Sequence, residues 1–125
     1  LDHHLLWSIL TNLISNALKY SRAEGVVKVT TDLNEERLYL KVEDRGIGIP
    51  QDEQKNIFGR FFRARNATNI EGTGLGLHIT QKYVGLLKGE INFDSRLDEG
   101  TSFTVIIPDG RVTEANETAL TESFK

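Results

Sequence analysis

Cysteine is absent from the sequence, so disulfides, thiolate zinc sites and cysteine nucleophiles are excluded, and nothing points to an oxidising compartment. Long apolar runs are missing too. No stretch approaches the roughly 18 residues that a membrane span needs, and no basic segment followed by an apolar core opens the chain. The expectation is a soluble, unprocessed chain without direct membrane contact, compatible with the cytoplasm. There is no basic excess either: 15 Lys and Arg stand against 18 Asp and Glu, giving a net charge of −3. Nucleic-acid-binding domains carry an evident basic surface, so no nucleic-acid partner is expected.

What is present suits one globular domain. The chain has 125 residues, 38% of them hydrophobic and 26% charged, enough to bury one core without staples. Leu5, Leu6, Ile9, Leu10, Leu13, Ile14, Ala17 and Leu18 recur at helical spacing, which predicts a helix over about 2–20 with Asp2 as N-cap. Two alternating stretches, Val27/Val29/Thr31/Leu33 and Leu38/Leu40/Val42, flank the polar turn Asn34-Glu35-Glu36 and predict an antiparallel pair. A short helix should follow Pro50 to about Phe58. Residues 63–73 show neither period and read as a mobile loop. Leu75, Ile79, Val84 and Leu87 predict a helix over about 74–88, stopped at Gly89. Ile91/Phe93/Ser95 and Phe103/Val105/Ile107 then form a second hairpin. Residues 109–125 are polar and weakly patterned, and read as a tail or linker.

Three segments carry possible chemistry. On the first helix, about 100° per residue places Asn12, Asn16, Lys19 and Tyr20 along one edge of the apolar arc. Amides at such a border need partners, because a buried unsatisfied polar group costs about 1–3 kcal/mol. Neighbouring backbone could supply those partners, and so could a ligand. At the end of the second strand, Asp44-x-Gly46-x-Gly48 combines an acceptor with glycines that permit close backbone approach. It suits an exocyclic amine such as adenine's, or simply a tight acidic turn. Gly72-Thr73-Gly74-Leu75-Gly76-Leu77 opens a helix whose free N–H groups and dipole favour phosphate. A dinucleotide fold is disfavoured, since a loop precedes this segment and a hairpin follows it, where a βαβ unit would be required.

The ordered set does more than its parts. Asn12-Leu-Ile-Ser-Asn-Ala-Leu-Lys-Tyr-Ser21, Asp44-Arg-Gly-Ile-Gly-Ile-Pro50, Ile57-Phe-Gly-Arg-Phe-Phe-Arg63, Gly72-Thr-Gly-Leu-Gly-Leu77 and Gly100-Thr-Ser-Phe103 resemble the catalytic domain of sensor histidine kinases, within the gyrase, chaperone, histidine kinase and MutL ATPase superfamily. The resemblance covers about residues 1–108. It implies an α+β, two-layer sandwich of the Bergerat type, with helices on one face of a mixed, mainly antiparallel sheet. It also implies ATP and Mg²⁺ as ligands, with Asn16 as the Mg²⁺ ligand and Asn12 beside it, Lys19 at the phosphates and Tyr20 near the adenine. Asp44 would receive the adenine amino group, with Gly46, Gly48 and Ile49 at the base and Thr101 in the same site. Gly72, Thr73, Gly74, Leu75, Gly76 and Leu77 would form the phosphate-side hinge of a lid, and Arg63 would touch the γ-phosphate. The implied partners are a histidine-bearing dimeric helical hairpin of the same kinase and, indirectly, a response regulator. A cytoplasmic location, or the cytoplasmic part of a membrane-bound sensor, goes with these.

Asn12 stands where hydrolysing relatives place a water-orienting glutamate, and an amide is a poor general base; this favours kinase over ATPase. Phe58, Phe61 and Phe62 resemble the phenylalanine box of histidine kinases, although all three could equally be core. The sequence departs from the family pattern at Gly59, where an acidic residue is common, and at His78, where a small residue often stands. His3 and His4 lack the surroundings of a phosphoacceptor, since Leu5-Leu6-Trp7 follows, and should decorate the helix start. The alternatives are an anti-sigma-type serine kinase and a nucleotide-binding interaction module without turnover.

Overall fold

A computed structural model describes residues 2–21, 25–59 and 76–108. Arg63, Phe61, Phe62, Gly72, Thr73, Gly74, Leu75 and the 109–125 tail lie outside the described residues, so the expectations placed on them are neither met nor overturned.

Helix α1 spans His3–Tyr20 and begins where expected, with the Asp2 carboxylate accepting from the N–H groups of His4 at 2.9 Å and Leu5 at 3.3 Å. That bond satisfies orphan donors of the first turn. Leu6, Ile9, Leu10, Leu13 and Ala17 form its buried face. Strands β1 (Lys28–Asn34) and β2 (Arg37–Asp44) follow. Between them Glu35 and Glu36 both take positive φ, 52° and 65°, as a two-residue primed turn requires; its twist matches that of the strands it joins. The short helix after Pro50 is a 3₁₀ helix over Gln51–Asn56. Helix α2 covers Gly76–Leu86, and strands β3 (Glu90–Arg96) and β4 (Gly100–Ile107) close the described chain.

The end of α2 corrects one expectation. The left-handed residue is Lys88, with φ 57°, and the Gly89 N–H returns to the Val84 carbonyl at 2.9 Å, which is the bonding of a Schellman cap. Gly89 is the last residue of that motif, not its left-handed position. It is small because a Cβ there would come within 2.6 Å of the Ile106 carbonyl.

The 4-stranded sheet has the order β1-β2-β4-β3, and every neighbouring pair among the described residues is antiparallel. Alternation sends Leu38, Leu40, Val42 and Asp44 of β2 inward, opposite Ile107, Val105, Phe103 and Thr101 of β4. Both helices pack on that face, and α1 and α2 pack on each other. The result is the α+β sandwich expected. β1 departs from its neighbours: its alternation is present, yet all seven residues are exposed, with Val29 and Leu33 on the inward side of the register. It is one of the two edge strands among the described residues, and α1 sits over β2 rather than over it. Among the described residues no helix is long and apolar enough to cross a membrane.

This division predicts unequal costs. Leu10→Ala, at a site with 0% exposure, should lower unfolding free energy by about 2–5 kcal/mol in urea titration. Val29→Ala, 41% exposed, should change it by no more than about 0.5 kcal/mol.

Candidate functional site

The inward rows of the sheet change character at one end. Three cross-strand rows are apolar, but the fourth is Asp44, Thr101 and Ser95, all three buried. Here each of three strands exchanges its apolar alternation for a polar residue at the same level. The Ser95 and Thr101 hydroxyls are 2.7 Å apart, and Ser95 Oγ also lies 3.3 Å from the Gly100 carbonyl. The Asp44 carboxylate accepts from the Gly46 N–H at 2.9 Å and from the Thr101 backbone. Burial raises its pKa above the ordinary 3.8, and these two backbone donors oppose that shift without cancelling it.

The turn after β2 is wedged against two other segments. The Ile47 N–H donates to the Tyr20 carbonyl at 3.2 Å, joining the turn to the end of α1, and the Asp98 N–H donates to the Ile47 carbonyl at 2.9 Å, joining it to the β3–β4 turn. A Cβ at Gly46 would collide with the Tyr20 carbonyl, and one at Gly48 with the Arg96 carbonyl; Gly48 also has φ of 69°. These glycines serve close approach, as their spacing suggested. Gly100, with φ 123°, gives the same room beside the Asp44 carbonyl. The sequence therefore brings Tyr20, Asp44, Gly46, Gly48 and Thr101 together, with Ile49 anchored by its N–H to Ser95 Oγ at 2.9 Å.

On α1, Asn12 and Asn16 are half-buried, one turn apart on the same face, and Lys19 is exposed beyond them. Gly76 is the exposed first residue of α2, and a Cβ there would meet nothing within 4 Å; Leu77 is half-buried against the core. Among the described residues no three His, Cys, Asp or Glu side chains converge on a metal position. A cation here would rest on amide oxygen, water and phosphate. That set fits Mg²⁺, which retains waters and takes only one or two protein oxygens at substrate sites.

His3 and His4 stack with ring centroids 4.6 Å apart on the exposed first turn of α1. His78 Nδ1 lies 3.1 Å from the Phe58 carbonyl, tying α2 to the chain just past the 3₁₀ helix. Phe58 is half-buried and meets Phe93 and Phe103 edge-on, at 5.9 and 6.5 Å, so it belongs to the core margin. Sequence reasoning gave no role to Ser95 or Gln54, whose side chains bind the turn. The signal for Ser95 was its place as the first polar residue in the row Ile91, Phe93, Ser95.

Residues 1–111 match the family described as histidine kinase-, DNA gyrase B- and HSP90-like ATPase. The chain is 42% identical over 112 residues to the sensor histidine kinase WalK of Bacillus subtilis, covering 86% of this chain and 18% of that protein. It therefore spans only about a fifth of the curated relatives it matches. Among solved structures, the mycobacterial sensor histidine kinase MprB aligns with a TM-score of 0.78 at 31% identity, covering 86% of this chain and 74% of that one. Full-length ShkA in complex with AMPPNP aligns with a TM-score of 0.72 at 30% identity, over 86% of this chain and 22% of ShkA.

The buried carboxylate has a thermodynamic signature. The folded state holds the Asp44 proton more tightly than the unfolded state, so this group's contribution to stability falls as pH rises from 3.8 through the raised value. Asp44→Asn should raise the urea midpoint at neutral pH and flatten its pH dependence across that interval. A lowered midpoint would mean that the charge stabilises the fold.

Proposed function

The chain belongs to the histidine kinase-, DNA gyrase B- and HSP90-like ATPase family, and on that premise we propose that it binds Mg²⁺-ATP and passes the γ-phosphoryl group to a histidine. That histidine sits on a separate dimeric helical hairpin domain of the same kinase, in two-component signalling with a response regulator downstream. The domain works in the cytoplasm, alone or as part of a membrane-bound sensor. The observation that carries the reading is Asp44: a buried carboxylate, held by two backbone donors between the end of α1 and a glycine turn. An acceptor kept desolvated at a fold cost is suited to an amino group brought by a ligand, and adenine brings one. The AMPPNP bound to the similar ShkA supports a nucleotide as that ligand.

The remaining assignments follow the phosphates outward. Tyr20, Gly46, Gly48, Ile49 and Thr101 surround the base. Asn16 offers an amide oxygen to Mg²⁺ with Asn12 beside it, Lys19 neutralises phosphate charge, and the Gly76-Leu77 start of α2 adds N–H donors. Arg63, Gly72, Thr73, Gly74 and Leu75 complete the phosphate side in this proposal. When bound, Mg²⁺ offsets the charge on the phosphate oxygens. In the transfer, the acceptor imidazole nitrogen forms a P–N bond as the bond from the γ-phosphorus to the bridging oxygen breaks, and ADP leaves. Positioning and charge neutralisation account for catalysis, so the domain needs no nucleophile of its own. Separation from the acceptor makes transfer bimolecular and forfeits effective concentration.

Asp44→Asn should weaken ATP binding by about 1.5–3 kcal/mol, the worth of a hydrogen bond to a charged group, while the fold persists. Unchanged affinity in calorimetry would refute the adenine assignment. Mixed with a separately purified hairpin domain and γ-labelled ATP, the chain should label the hairpin with acid-labile, base-stable phosphohistidine, slowly and in proportion to concentration. Asn16→Ala should abolish that labelling and leave adenine recognition partly in place. Label on a serine, or on His3 or His4, would defeat the proposal, and nucleotide binding without any transfer would favour an interaction module.

A further inference from the structure

The side chain of Gln54 makes two bonds that nothing in the base site itself requires. From the 3₁₀ helix, its amide nitrogen donates to the Ile49 carbonyl at 3.1 Å and to the Ser95 carbonyl at 3.0 Å. Both hydrogens of that nitrogen are thus used, and each goes to a different segment: one to the chain leaving the glycine turn, the other to β3. The Ile49 N–H meanwhile donates to Ser95 Oγ at 2.9 Å. Residue 49 is therefore fastened to residue 95 twice, once directly and once through Gln54. Ser95 in turn contacts the hydroxyl of Thr101, whose backbone supports the Asp44 carboxylate.

We propose that Gln54 is a positioning residue that sets nucleotide base selectivity by pinning the Asp44–Ile49 turn to β3. The proposal rests on the adenine assignment of Asp44. The turn needs an external pin for a geometric reason. Gly46 and Gly48 confer the close approaches to Tyr20 and Arg96, but glycine also leaves the backbone with the greatest conformational freedom. Among the bonds that hold residues 45–49 are the Gly46 N–H to the Asp44 carboxylate, those of Ile47 to Tyr20 and from Asp98, and the paired fastening at Ile49. Removing the Gln54 donors would leave one link at Ile49 in place of two and free the Ile49 carbonyl to turn. Asp44 would stay in its strand while the backbone that faces the base would lose its fixed distance from it. Base selectivity depends on that distance, whereas phosphate binding from α1 and α2 does not. Gln54 touches neither, which makes it a positioning residue rather than a catalytic one.

The test separates base from phosphate. In Gln54→Leu, similar in size and without donors, ATP binding by the 125-residue chain should fall roughly tenfold, in keeping with two lost hydrogen bonds, and GTP binding by less than about twofold. Gln54→Glu, nearly isosteric but setting an oxygen against two carbonyls, should narrow the ATP preference at least as much. Urea midpoints measured alongside establish that both variants are folded at the binding temperature. Equal loss for ATP and GTP, or no loss for either, would overturn the proposal, since a merely structural role weakens all nucleotides alike. Should Gln54→Leu fail to fold, the glutamate variant decides by the same ratio; failure of both to fold would make Gln54 structural and also overturn it. A wild-type chain that binds no ATP would instead sink the adenine assignment.

Discussion

A carboxylate that the fold has taken out of water organises the site end of this molecule. Asp44 continues the inward alternation of β2 after three apolar residues, so the strand that builds the core also delivers the charge. Desolvation works against it, and two backbone N–H groups make up only part of the difference. Each neighbour is arranged around that compromise. Thr101 and Ser95 fill the rest of the row with groups that can hydrogen-bond, and Gly46 and Gly100 let main chain come close where any side chain would block it.

Rigidity beneath the site comes from contacts across distant parts of the sequence. The end of α1, the glycine turn and the β3–β4 turn are joined through Tyr20, Ile47 and Asp98 by main-chain bonds. Main-chain joints of this kind are indifferent to most substitutions of the side chains they carry, but not to a Cβ at the glycines.

Much of this was legible beforehand, for identifiable reasons. Helix α1 announced itself through an apolar stripe and a capping aspartate, both local signals, and β2 through strict alternation. The Asp44, Gly46 and Gly48 cluster could be read because glycine spacing reports backbone approach. Three features were not legible. The bonds of Gln54 connect residues 41 and 5 positions apart, and nothing in a polar side chain on a short helix says which carbonyls it will find. The cap at Lys88 used a residue that usually avoids positive φ, because packing against Ile106 reserved Gly89 for another purpose. The exposure of β1 depends on where α1 lies across the sheet, whereas its period is that of any half-buried strand.

The turn at Glu35 and Glu36 has a practical corollary. It joins the far ends of β1 and β2, and Asp44 is the last of the 8 residues of β2, roughly 26 Å from the turn at the rise of an antiparallel strand. An exposed hairpin tip at that remove is a permissive place for an epitope or a short inserted peptide. Because these 125 residues include no cysteine, one engineered at that tip would give this chain a uniquely addressable handle for a fluorophore or for surface tethering, with the Asp44 end of the sheet left untouched.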